Sequence, residues 1–152
     1  MRNDKADTIK LTVDKFIFGF PVNLRYSDAG LWIRQEESLA RVGLTDFAQQ
    51  RNGDIAFANL PAVGSVLNAG DEIASVETVK VNISLPSPVN GTILEINSSL
   101  EESPELINQD PYGNGWMVVL QVDGLEREIS KLLDAETYSR IAKQQAEAEL
   151  KP

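Results

Sequence analysis

Val76-Glu77-Thr78-Val79-Lys80-Val81-Asn82-Ile83-Ser84-Leu85 alternates in its second half, with Val79, Val81, Ile83 and Leu85 on one side and Lys80, Asn82 and Ser84 on the other. Period two is the mark of a half-buried strand. No turn-forming residue stands between Glu77 and Val81, so local rules draw one continuous strand from Ile73 to Leu85 with Lys80 on its polar face. By this reading Lys80 is a solvated surface lysine, which is what most lysines are.

Working outward, Pro86 and Pro88 end that run, Asn90-Gly91 marks a turn, and Thr92 to Ile96 resumes as a strand. Ser103 as cap, Pro104 at the first helical position and Glu105 in the first turn predict a short helix. The Asp110-Pro111-Tyr112-Gly113-Asn114-Gly115 loop is a dense turn whose Pro and glycines answer backbone needs, and Trp116 to Val122 is an apolar strand. Asp134 caps a final helix with Tyr138, Ile141 and Ala142 on its apolar stripe; its polar end, residues 143–152, is expected to fray.

Upstream, residues 1–10 are polar and read as a mobile start. Leu11-Thr12-Val13 and Phe16 to Phe20 read as extended, either an added edge strand or an arm over apolar surface. Short strands at Leu31–Arg34 and Ser38–Val42 flank a Gln35-Glu36-Glu37 turn, and Gly43 breaks the pattern. Thr45 or Asp46 caps a brief helix; Asn52-Gly53 then turns into the alternating strand Asp54 to Leu60. Val63-Gly64-Ser65-Val66-Leu67-Asn68 weakly echoes Asn90-Gly91-Thr92-Ile93-Leu94-Glu95, a hint of internal duplication. Many short strands with frequent turn signals predict a mainly β domain, a sandwich or flattened barrel with small peripheral helices and a C-terminal helix.

The totals narrow the chemistry. Net charge is −9 over 152 residues, with no cluster of Lys and Arg, which argues against nucleic acid and anionic membrane surfaces. Cysteine and histidine are both absent. That excludes disulfides, Cys/His zinc sites and the usual nucleophilic triads, and no acid/base constellation stands out among the carboxylates. No apolar run is long enough to span a membrane, and neither a signal-type apolar region nor its cleavage site is present, so a cytoplasmic protein is expected.

Ordered segments carry a resemblance. Pro21-Val22-Asn23-Leu24-Arg25-Tyr26, Trp32-Ile33, Val42-Gly43-Leu44-Thr45-Asp46-Phe47-Ala48, Gly53-Asp54-Ile55-Ala56-Phe57 and Leu60-Pro61 come first. Val76-Glu77-Thr78-Val79-Lys80, Ser87-Pro88-Val89-Asn90-Gly91, the long block from Ser103 to Trp116 and Leu133-Asp134-Ala135-Glu136-Thr137-Tyr138 follow. Together they resemble the glycine cleavage system H protein family over about residues 21–142, leaving residues 1–20 as an extension. The resemblance implies a lipoyl-domain hammerhead fold and a carrier rather than an enzyme. It implies that Lys80 sits at a hairpin tip as an N6-lipoyl-lysine, with Glu77, Thr78 and Val79 as the collar read by a lipoate-attaching enzyme. Lipoate would supply the reactivity and the protein its delivery.

The pattern departs at Gly30-Leu31-Trp32, where H proteins usually carry His-Glu-Trp, and at Val81-Asn82-Ile83, where small residues are common. Those departures resemble the lipoate-binding proteins that serve a heterodisulfide-reductase-like complex in sulfur oxidation, with the arm shuttling sulfur-bound intermediates. This is the expected role. The alternatives are an H protein carrying the aminomethyl group among the glycine cleavage P, T and L proteins, or an unmodified β-domain interaction module.

Overall fold

Strands dominate. The computed structural model describes residues 7–150. In order these are β1 (Thr8–Val13), β2 (Phe16–Pro21), β3 (Arg25–Tyr26), β4 (Leu31–Glu36), β5 (Leu39–Leu44), α1 (Asp46–Asn52), β6 (Ile55–Asn59) and β7 (Val66–Leu67). Then come β8 (Glu72–Thr78), β9 (Asn82–Pro86), β10 (Gly91–Ile96), α2 (Ser99–Glu102), α3 (Leu106–Gln109), β11 (Val118–Gln121), α4 (Leu125–Ser130) and α5 (Ala135–Leu150). A six-stranded antiparallel sheet runs β3-β4-β5-β11-β10-β7; a three-stranded one runs β6-β8-β9; β1 and β2 pair only with each other.

The main core lies among Ile33, Val42, Ile73, Val76, Leu85, Ile93, Val118 and Leu120, contributed by the two larger sheets. A second core gathers Phe18, Phe20, Tyr26, Trp32, Phe47 and Tyr138 beneath α5. Strand β4 serves both. Leu31 and Ile33 enter the main core while Trp32, on the opposite face by the period of two, enters the second. That is why three consecutive residues are fully buried in a strand.

The β1–β2 hairpin is therefore a cover, not an added edge strand. Phe18 meets the Phe47 ring edge-on at 5.0 Å and Phe20 meets Tyr138 at 5.6 Å. Burying each such ring stabilises the fold by about 2 kcal/mol. Polar bolts fix its position: Gly19 N donates to Asp46 Oδ2 at 2.9 Å, and the Tyr112 hydroxyl donates to Gly19 O at 2.6 Å. The same hydroxyl accepts from Asp46 N at 3.1 Å. Burial pushes the Tyr112 phenol well above its ordinary pKa, so it stays a donor.

Several local expectations are corrected. The strand begins at Thr8, inside the stretch read as a mobile start; residues 1–6 of that stretch lie outside the described residues. Gly43 does not interrupt the sheet. It lies within β5 opposite Trp32, where a Cβ would come within 2.6 Å of the indole, so glycine makes room for the ring. Gly91 likewise opens β10, with a Cβ excluded by Gln121 O at 2.9 Å. The helix expected to begin at Pro104 starts at Leu106 instead, because Pro104 and Glu105 form a turn into α3, and α2, which ends before Ser103, was not expected. Helix α4 has no strong sequence signal.

Helix α5 stays regular to Leu150 rather than fraying after Ala142. Ala146 is buried against the second core, and Arg51 Nε donates to Glu149 Oε1 at 2.7 Å. Its start is as expected, with Thr137 N donating to Asp134 Oδ1 at 2.8 Å. Thr45 caps α1 through Ala48 N at 3.1 Å. The two echoing segments pair with each other, Thr92 opposite Val66 and Ile93 N on Ser65 O at 2.9 Å. The residue shift that carries Gly64 onto Gly91 exchanges those two pairs, as a local twofold requires.

Candidate functional site

Strands β8 and β9 form a hairpin paired Val76 to Ile83 and Glu77 to Asn82, leaving Val79, Lys80 and Val81 in the turn. The continuous strand drawn by local rules is thus wrong, and the hairpin implied by the resemblance is right. Thr78 supplies what the missing turn residues would have. Its Oγ1 accepts from Lys80 N at 3.2 Å and Val81 N at 3.1 Å, while Thr78 N donates to Val81 O at 2.9 Å. A threonine hydroxyl satisfying the amides two and three residues on is a turn device available to β-branched sequence. It was legible only as one Thr among many.

The four expected site residues come together here. Lys80 is exposed at the apex, and among the described residues no carboxylate pairs with its ammonium. Val79 is 93% exposed and Val81 51%. Glu77 lies on the outward face of β8, its Oε2 accepting from Asn59 Nδ2 at 3.3 Å. Behind them the hairpin is anchored by Val76 and Leu85 in the main core. The result is a core-rooted finger that presents one primary amine.

Sequence reading missed Phe57. Strict alternation from buried Ile55 would turn Phe57 inward. A bulge at Ala56 breaks the register between Ile55 opposite Thr78 and Phe57 opposite Glu77, and Phe57 faces solvent at 63% exposure. The Asp110–Gly115 loop is structural, as expected: Asp110 Oδ2 accepts from Asn114 N at 2.8 Å, and a Cβ on Gly115 would meet Leu106 O at 2.6 Å. Among the described residues no group of acidic side chains could hold a metal, and no helix is long and apolar enough to cross a membrane.

The packed β-sheets thus present the Lys80 amine at the tip of a protruding hairpin. The family model for the glycine cleavage H-protein matches residues 24–145. A glycine cleavage system H protein of Bacteroides thetaiotaomicron is 46% identical over 123 residues, covering 80% of this chain and 96% of that protein. One from Mycobacterium leprae is 48% identical over 122 residues (78% and 92%), and one from Bacillus subtilis 42% over 124 (82% and 97%). The crystal structure of the Mycobacterium marinum H protein superposes with a TM-score of 0.72 at 32% identity, covering 78% of this chain and 95% of that one. The chain belongs to the glycine cleavage H-protein family, whose members are lipoyl carrier subunits rather than catalysts.

Proposed function

We propose that Lys80 is the lipoyl attachment point and that the chain serves as an H protein, working with the P, T and L proteins of a glycine cleavage system. The observation that carries this reading is the placement of Lys80 at the exposed apex of the β8–β9 hairpin. A lipoyl amide needs an approachable Nζ and removes its positive charge, and among the described residues no carboxylate is paired with that charge. Bound there, lipoate supplies a pair of sulfurs that accept and release an aminomethyl group. The chain's own residues hold the base of the arm: Thr78 closes the turn, Val76 and Leu85 root it, and Val79 and Glu77 form the collar for the attaching enzyme.

The glycine-cleavage role is preferred to sulfur transfer because the family model and the cited relatives carry that name over most of the chain. One observation favours the sulfur reading, the Gly30-Leu31 pair in place of His-Glu. Both positions are buried here. Gly30 has φ +93° with Ala48 Cβ 2.9 Å from where its own would stand, and Leu31 sits in the main core.

Co-expression with a lipoate-attaching enzyme is expected to add one lipoyl amide, located on Lys80 by peptide fragmentation and lost in Lys80→Arg. An unmodified Lys80 overturns the attachment and leaves an interaction module. With P, T and L proteins the lipoylated chain is expected to support glycine decarboxylation. Failure there, with turnover in a heterodisulfide-reductase-like assembly, assigns it to sulfur transfer.

A further inference from the structure

Across the three-stranded sheet the outward side chains form two rows. Phe57, Glu77 and Asn82 make the row nearer the hairpin tip; Asn59, Ser75 and Ser84 make the next. Five of these six are small or polar, and three of them bind one another: Asn59 Nδ2 donates to Ser75 Oγ at 3.2 Å and to Glu77 Oε2 at 3.3 Å. Phe57 is the exception, a phenyl ring left 63% exposed on an otherwise polar face. A lone exposed apolar residue needs no explanation by itself. This one is aimed. Without the bulge at Ala56, Phe57 would share the buried face with Ile55; the bulge turns it to solvent beside the site hairpin.

Its place is equally specific. Phe57 pairs with Glu77, three residues before Lys80, so its backbone stands about 10 Å from the tip along the strand. Phe57 on the sheet face and Val79 and Val81 in the turn are the exposed large apolar side chains along this rim of the hairpin. Enzymes that act on the far end of a lipoyl arm have no need to reach this rim. The enzyme that makes the amide must, because its acyl carbon has to come within about 3.5 Å of Nζ. In that step the Lys80 amine attacks the carbonyl of an activated lipoyl donor, a mixed anhydride or thioester. The C–N bond forms, the phosphate or thiol leaves, and the nitrogen gives up a proton.

We infer that Phe57 is a specificity-determining contact for the lipoate-attaching enzyme, an aromatic anchor in a polar rim beside its target amine. The inference rests on Lys80 being the attachment point. Small surrounding groups and a rigid strand make such a ring an efficient contact, since little freedom is lost on burial.

The test follows lipoylation of full-length apo protein by a purified lipoate ligase with lipoic acid and ATP, read by intact mass. Phe57→Ser is expected to lower kcat/KM by about 30-fold and Phe57→Leu by about 5-fold. Val66→Ser, at a still more exposed apolar site on β7, is expected to change nothing. Samples of wild type and Phe57→Ser driven to full lipoylation are expected to be reduced at equal rates by dihydrolipoyl dehydrogenase and NADH. Equal ligation of wild type and Phe57→Ser overturns the inference while leaving the attachment intact. A matching loss in the dehydrogenase assay overturns it too, since a distorted hairpin would slow both. A wild type that accepts no lipoate fails at Lys80 itself.

Discussion

Thr78 is the residue on which the site geometry turns. A β-branched run of this kind resists reversal, and the hydroxyl supplies the acceptor that lets the chain fold back at Val79-Lys80. Thr78→Val keeps shape and β-propensity but leaves two amides to water. We expect a loss of about 1 kcal/mol, confined to the hairpin, with faster amide exchange at Lys80 and Val81 and slower lipoylation; Thr78→Ser is expected to restore both. Exchange at those amides unchanged in Thr78→Val would refute this role. Lys80 and its three neighbours were legible in the sequence only through resemblance, because composition alone drew them as a strand. Phe57 was not legible at all, since a bulge leaves no residue-type signature when the extra residue is alanine.

At the level of elements, the Tyr112 phenol is one of the ties that hold the β1–β2 hairpin in place. Tyr112 reaches from the loop before β11 to Gly19 O and Asp46 N, joining three segments far apart in sequence. Tyr112→Phe removes both bonds without leaving a void and strands a partly buried carbonyl and amide. The expected cost is about 2 kcal/mol in chemical denaturation, with early protease cleavage within residues 8–21. A midpoint equal to wild type would show that water replaces the phenol. Element existence was largely legible: Thr45 and Asp134 as caps, the Asp110–Gly115 turn and the alternating strands all follow local chemistry. Boundaries were not. Gly43 and Gly91 read as punctuation because the sequence does not reveal that Trp32 and Gln121 lie against them.

At the scale of the whole molecule, two cores share one strand, and this was hidden because period two reports two faces without naming what covers each. Charge behaves more simply. Glu36 receives Arg41 Nε at 2.8 Å and Arg34 Nε at 2.9 Å, and the Arg41 hydrogen bond, then Arg34, holds its carboxyl below the usual glutamate range. A depressed folded pKa stabilises above the unfolded value and loses that contribution as pH falls through the folded one. Glu36→Gln is therefore expected to cost about 0.5 kcal/mol at pH 7, with the gap to wild type narrowing in thermal melts as pH falls below the usual glutamate range. The gap is read between two proteins of nearly equal charge, so the general effect of approaching the isoelectric point cancels. A gap that stays constant as pH falls would assign the loss to packing. The rooting of the β8–β9 finger in the main core has one more consequence for the lipoyl arm proposed at Lys80, in encounter statistics. A tether planted on an immobile post sweeps a volume set by its own length alone. Its free end then meets a docked partner at an effective concentration on the order of mM, and transfer becomes independent of how dilute the carrier is.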